Sequence, residues 1–256
     1  MIRPGLCSIT FRKLPPREII AACVESGLQA IEWGGDIHCP HGDTAVAASL
    51  YQACNDAGIA TPSYGSYFRM DPVCAEPDFR RVLDSAHALG AKTIRVWAGA
   101  RASVDMDPSY RSRLVDEVRR VASLAESAGC AIGLEYHRHT ATDTNAGALR
   151  MLEDADHPAV RIYWQPREVT PVDERLEGLQ NILPHLCHLH VFQWIGTPIE
   201  RRPLLEAEAE WRLYAGVAAT AGASDIFAHL EFVRDDSLES LREDAQALHR
   251  ILDSVK

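Results

Sequence analysis

Ser127-Ala128-Gly129-Cys130-Ala131-Ile132-Gly133-Leu134-Glu135 is the stretch that decides the fold. A polar helical segment ends in a small residue and glycine, an apolar run follows, and the run closes on a carboxylate. Glycine just past a helix is the expected C-cap, because it tolerates positive φ. The near-continuous apolar run after it reads as a buried parallel strand. The same phrase returns at Glu25-Ser26-Gly27 before residues 28–33, at Asp56-Ala57-Gly58 before 59–64, at Ala88-Leu89-Gly90 before 91–97, and at Thr220-Ala221-Gly222 before 223–231. Such repetition is the signature of βα units.

The sequence offers eight strand candidates, at residues 4–9, 30–33, 60–64, 93–97, 131–136, 161–164, 186–192 and 227–233. Helical patterns separate them. Pro15-Pro16 opens the first, residues 80–89 and 112–128 carry apolar side chains at helical spacing, and Asp235-Asp236-Ser237 caps a last helix running to about Leu252. Eight such units close into an α/β fold of the (β/α)8 barrel type. The rival, an open doubly wound sheet, usually has a Gly-rich phosphate turn after its first strand, and none is present. No linker divides the chain, so residues 1–256 are expected to form one barrel domain.

The net charge of -10 argues against nucleic acid and against an anionic membrane surface as the main partner. No apolar run approaches the ~20 residues of a membrane span, and the N-terminus lacks a signal-peptide pattern. Seven cysteines (Cys7, Cys23, Cys39, Cys54, Cys74, Cys130 and Cys187) are scattered without CxxC spacing. They read as reduced, mostly core thiols, which places the chain in the cytoplasm.

Barrel chemistry sits where strands end. Glu135 follows Ile132 and Leu134, and Glu231 follows Ile226, Phe227 and Leu230. A carboxylate closing a buried strand is costly unless it is paired or binds metal. Two of them, with an imidazole from the His188-Leu189-His190 strand, suit one divalent cation: Mn, Mg, Co or Zn. The alternative is that each carboxylate pairs with an arginine at the barrel mouth. No Walker-type loop is present, and no lysine stands at a strand end to form a Schiff base.

Gly133-Leu134-Glu135, His188-Leu189-His190-Val191 and Leu230-Glu231-Phe232 carry a resemblance that covers nearly the whole chain. The chain resembles the xylose-isomerase-like superfamily of sugar phosphate isomerases and epimerases. The resemblance implies one divalent metal bound by Glu, Asp, His and Glu from four successive strands. Glu135, His190 and Glu231 match three of them; His190 rather than His188 fits because it stands between two apolar residues. His188 then lies deeper in the barrel as a hydrogen-bonded core residue. The departure is Trp164-Gln165-Pro166, where the family has Asp. Gln165 still offers a neutral carbonyl oxygen, so it joins the expected metal set, which loses one negative charge.

The activity implied is isomerisation or epimerisation of a small carbohydrate, by proton removal next to a carbonyl through an enediolate. Glu135 and Glu231 would exchange the protons, with His137 as an auxiliary acid–base or substrate contact. Trp33, His38, His41, Tyr64, Tyr67, Arg69, Trp97, Trp194 and Arg202 are the candidate substrate contacts. Phe192, Arg201 and Arg234 stand beside them as weaker ones. A lyase or hydratase acting on a keto-sugar, keto-glycoside or cyclic polyol shares the first step. A barrel that binds sugar without catalysis is a third reading, which only Gln165 favours. A DNA-repair endonuclease would want more histidines and a basic groove. A homo-oligomer is left open.

Overall fold

The computed structural model describes residues 1–71, 78–167, 170–222 and 225–256; Cys74 and Ala223 lie outside them. Eight parallel strands close into a barrel in the order β1-β10-β7-β6-β5-β4-β3-β2. They are β1 (Ile2–Cys7), β2 (Ala30–Gly34), β3 (Ser63–Met70), β4 (Thr93–Ala98), β5 (Ala131–Glu135), β6 (Val160–Trp164), β7 (Leu186–Val191) and β10 (Ile226–Leu230). Outside them run α1 (Pro16–Glu25), α2 (Thr44–Asp56), α3 (Phe79–Ala88), α4 (Pro108–Ser127), α5 (Asn145–Ala155), α6 (Val172–Ile182), α7 (Glu208–Ala219) and α8 (Leu238–Asp253). This is a (β/α)8 barrel. An antiparallel hairpin, β8 (Gln193–Ile195) and β9 (Glu200–Arg202), is inserted between β7 and α7.

The sequence placed the third strand at 60–64, but β3 begins at Ser63. Thr61-Pro62 explains the delay: proline has no N–H to give to a ladder, and Ala60 makes only an isolated bridge to Ala30. β3 then runs to Met70 through a register shift between Gly65 and Phe68. The first strand ends at Cys7, where Ser8–Phe11 turns into a 3-10 helix. Six of the cysteines are free thiols, five of them buried.

Strand alternation sorts the side chains into two populations. Leu6, Ile31, Trp33, Ile94, Val96, Ile132, Leu134, Ile162, Trp164, Leu189, Val191 and Leu230 face the helices and join one apolar core. The opposite faces point into the barrel and are mostly polar or minimal, with Phe227 stacked beside His229 as an aromatic exception. Three odd-numbered strands contribute Gly5, Gly65 and Gly133. A Cβ there would lie 2.6 Å from His229 Nδ1, 2.8 Å from Arg95 Nη2 and 2.5 Å from the Tyr163 ring, respectively. The glycines thus clear the volume that large polar side chains from the neighbouring strands fill. Barrel interiors are usually built of branched aliphatic residues; here polar side chains fill much of the axis, and among the described residues neither ring nitrogen of His229 finds a hydrogen-bond partner.

The helix shell carries one perturbed group. Asp244 on α8 is 5% exposed and accepts the Leu204 N–H at 2.7 Å. Burial pushes its carboxyl up from 3.8 to about 6. Between those values the folded chain holds a proton that the unfolded chain has released, so stability falls as pH rises through the window. Asp244→Asn keeps the acceptor oxygen and removes the penalty. Urea unfolding should show the variant about 1–2 kcal/mol more stable than the parent at pH 7.5 and little different at pH 4.

Candidate active site

The centre of the site is His190 Nδ1 on β7. Gln165 Oε1 lies 3.0 Å from it, Glu135 Oε1 lies 3.6 Å away and Glu231 Oε2 also 3.6 Å. Each comes from the C-terminal end of a different strand, and strand pairing sets their heights: Glu135 is level with Tyr163, and His190 with His229. Gln165 is oriented by its own amide, whose Nε2 donates to the Tyr136 carbonyl at 2.5 Å and leaves Oε1 facing inward.

These four donors could hold a cation. Bonds of about 2.1 Å at right angles place neighbouring ligand atoms about 3 Å apart, and the three oxygens stand 3.0, 3.6 and 3.6 Å from His190 Nδ1. The set offers one imidazole nitrogen and three oxygens, which suits Mn, Mg, Co or Zn. The site also draws positive charge toward itself. Burial opposes protonation of His190, yet the surrounding Cys7, Glu231 and Glu135 hold its pKa well above the ordinary value.

The two glutamates are not equivalent. Glu135 Oε2 accepts from Arg95 Nη1 and from Trp97 Nε1 at 2.6 Å. Burial works against its charge, but the Arg95 guanidinium outweighs burial and keeps the carboxyl below its usual range. Burial pushes the Glu231 carboxyl up, and repulsion from Glu135 adds to this.

Beneath these groups lies a second layer that sequence reading missed. Arg95, 2% exposed, donates Nε to Glu32 Oε1 at 2.8 Å. The other Glu32 oxygen accepts from Ser63 Oγ at 2.9 Å and from the Tyr163 hydroxyl at 2.7 Å. The Cys7 thiol, held protonated by burial at a pKa of about 12, points at Glu32 Oε1 from 3.7 Å. Its sulfur, His190 and Glu231 offer ligand atoms within 4.8 Å of one another. His188 Nδ1 accepts the Phe227 N–H at 3.2 Å, one turn of the pleat below His190. The parity of strands β2 and β4 pointed Glu32 and Arg95 inward, but nothing in sequence spacing paired them.

Above the four donors opens a cavity of about 400 Å³, lined by Tyr67, Trp97, His137, Phe192, Trp194 and Phe232 among others. Phe192 and Trp194 stack at 4.1 Å, Trp97 meets Tyr67 edge-on at 5.3 Å, and His137 leans on Trp97 at 4.7 Å. Backbone strain gathers here: Tyr67, His139 and Phe232 all have positive φ, a costly conformation for non-glycine residues. The His137 Nδ1 donates to the Arg138 carbonyl at 2.8 Å, so in the neutral ring Nε2 carries the lone pair. Arg12, Arg138 and Arg167 stand on the rim. Arg12 is paired with Asp36; neither Arg138 nor Arg167 has a carboxylate partner among the described residues.

Six expected substrate contacts lie elsewhere. Trp33 points to the helices because it alternates with inward Glu32, and it is fully buried. Tyr64 alternates with Ser63 and Gly65, and its hydroxyl donates to the Cys39 carbonyl at 2.6 Å. In the loop after β2, His38 is bound to Ser8 Oγ at 2.9 Å and His41 to the Ser66 carbonyl at 2.6 Å. Arg69 donates to the Gly99 carbonyl at 2.6 Å and lies over the outer face of Trp97. Arg202 sits on the hairpin, paired with Glu200 and Glu206. Arg201 pairs with Asp236 and Arg234 with Glu243.

A closed (β/α)8 barrel with glutamate, glutamine, histidine and glutamate converging at its C-terminal mouth defines a class of enzyme-like barrel. The chain belongs to the xylose isomerase-like TIM barrel family, which matches residues 20–251. A 3-dehydroshikimate dehydratase of Bacillus anthracis is 24% identical over 203 residues, 73% of this chain and 70% of that protein. The crystal structure of a probable 3-DHS dehydratase from Bacillus anthracis superposes with a TM-score of 0.78 at 18% identity, over 97% of this chain and 99% of that one. D-psicose 3-epimerase from Clostridium cellulolyticum H10, solved with D-tagatose, gives 0.70 at 16% identity over all of both chains. A family member from Mycobacterium smegmatis, solved with magnesium, gives 0.73 at 17% identity over 99% and 98%. No helix among the described residues is long and apolar enough to cross a membrane.

Glu32 is expected to be a main support of this architecture. Glu32→Gln puts an amide N–H against one of four donors and leaves the Arg95 charge half-paired in the core. Removing one partner of a buried ion pair costs about 3–5 kcal/mol. Denaturant unfolding should show a loss of that size, against about 1 kcal/mol for Ser63→Ala.

Proposed function

We propose that this protein is a divalent-metal-dependent lyase that removes water from a hydroxyketone bearing a carboxylate. The observation that carries this reading is the cationic rim. Arg138 and Arg167 line the cavity above the four converging donors without a carboxylate partner among the described residues, where a neutral ketohexose would have no use for them. A carboxylate of the substrate supplies the missing partner, and 3-dehydroshikimate, the compound named for the curated relative, is such a molecule.

Glu135, Gln165, His190 and Glu231 would hold the cation. A cation there supplies Lewis-acid stabilisation of the charge that develops on the carbonyl oxygen. The aromatic walls, Trp97 and the Phe192–Trp194 stack, sandwich the ring and exclude water. Glu231, whose pKa is raised and whose side chain faces the cavity, removes the proton next to the carbonyl. The neighbouring C–O bond then breaks, and the departing hydroxide takes the proton from Glu231 and leaves as water. Carbon loses one hydrogen and one hydroxyl, and no redox partner is needed. His137 orients the leaving hydroxyl from its place on Trp97.

The second reading, epimerisation of a ketose, draws on the presence of two carboxylates beside His190 Nδ1. The two separate experimentally. Protein stripped with a chelator and reloaded with Mn2+, Mg2+ or Co2+ is incubated with 3-dehydroshikimate, D-fructose and D-psicose, and products are followed by NMR. Water loss from 3-dehydroshikimate should depend on added metal and fall by about 10²–10⁴-fold in Glu231→Gln. Epimer formation from a ketohexose without dehydration would establish the second reading instead, and inactivity with every metal would reject both.

A further inference from the structure

We infer that Arg95 is a positioning residue that restricts Glu135 to one free oxygen, so that Glu231 alone moves protons. The inference rests on the enolate chemistry proposed above and concerns how the two glutamates divide it.

Glu135 Oε2 is the acceptor of two donors at once, the Arg95 Nη1 and the Trp97 indole. Only Oε1 faces His190 Nδ1. A carboxylate whose second oxygen is held by a guanidinium and an indole cannot turn to collect a proton without abandoning both. Glu231 has no such anchor: no donor reaches its carboxylate among the described residues, and its Oε2 lies 3.6 Å from the same imidazole nitrogen.

The anchoring arginine is itself immobilised. Its Nε is tied to Glu32, which is held in turn by Ser63 and Tyr163. Gly65 leaves room for the guanidinium, since a Cβ there would stand 2.8 Å from Nη2. The planar fork bridges two carboxylates on strands β2 and β5, a task that a lysine ammonium performs poorly. A ketose epimerase needs a proton acceptor on each face of the carbon. A dehydratase that passes one proton from carbon to the departing hydroxyl needs one. By disabling Glu135 as a base, Arg95 selects the second kind of reaction.

Two readouts test this. The first is Mn2+ affinity of the chelator-stripped protein by titration calorimetry. Arg95→Met frees Glu135 Oε2 and removes a nearby positive charge, so Mn2+ should bind about tenfold more tightly while kcat for 3-dehydroshikimate falls about 10–100-fold at unchanged KM. Arg95→Lys should lie between parent and Arg95→Met. The second is exchange of the hydrogen next to the substrate carbonyl with D2O in Mn2+-loaded protein. Glu231→Gln should lose exchange, and adding Arg95→Met to it should restore exchange at least about tenfold by releasing Glu135.

Unchanged or weaker Mn2+ binding in Arg95→Met would overturn the inference, as would substantial exchange in Glu231→Gln alone. If Arg95→Met does not fold because two buried carboxylates lose their cation, Arg95→Met/Glu32→Gln removes one of those charges and carries the same measurements. Should the parent protein release no water from 3-dehydroshikimate with any metal, the proposed function fails; should it release water without exchange, the proton passes directly from carbon to the departing hydroxyl, and in both cases the Mn2+ titration decides the role of Arg95.

Discussion

Arg95 brings a full positive charge into the middle of a closed barrel, where an unpaired ion would cost several kcal/mol. Glu32 meets it on one side and Glu135 on the other, and much of the rest of the structure accommodates that arrangement. Glycine at 65 makes the space. Ser63 and Tyr163 satisfy the second oxygen of Glu32, and Trp97 supplements the arginine at Glu135. The ion pairs are buried and hydrogen-bonded on nearly every side, and this lets a charged core stand in for the usual aliphatic one. The chain Glu32–Arg95–Glu135 also connects the sealed interior to the open mouth, so the support of the barrel and the shape of the site are one network.

That network bears on the neutral fourth position. A glutamine in place of a carboxylate leaves two formal negative charges among the four converging donors. Gln165 is not a passive substitute: its amide is committed to the Tyr136 carbonyl, and its oxygen is thereby aimed at His190. With one glutamate tied to an arginine and the other unanchored, the site is asymmetric in charge and in mobility. A site of this kind suits a reaction in which one group both takes and returns a proton, under a rim that attracts an anion.

Much of the fold was legible in sequence because it depends on local signals. Gly27, Gly58, Gly90, Gly129 and Gly222, read as helix C-caps, all adopt φ between 68° and 74°. The apolar runs after them carry the outward strand faces. The Thr61-Pro62 delay of β3 and the short β8–β9 hairpin were harder to read, the first because Pro62, which has no N–H for the ladder, sits inside the repeating run after Gly58, the second because strands of three residues leave almost no pattern. In the site, residues 135, 190 and 231 stood out because each polar side chain interrupts an apolar strand. Trp33 and Tyr64 were misplaced when position at a strand end was weighed without parity, since their inward neighbours are Glu32 and Gly65. The pairing of an arginine with a strand-end carboxylate was foreseen only as the alternative to metal, yet Glu135 makes that pair while presenting its other oxygen to the cavity. Arg95 and Glu32 lie 63 residues apart on strands that do not pair, and no local pattern in one sequence encodes such a contact.

If these four donors form one cation site, Glu135 reaches it with a single oxygen. An anomalous difference map from crystals grown with Mn2+ tests it most directly. One strong peak is expected, bonded to His190 Nδ1, Glu135 Oε1, Gln165 Oε1 and Glu231 Oε2, with Arg95 still on Glu135 Oε2. A peak held instead by Cys7 or Glu32, or no peak inside the barrel mouth, would contradict it.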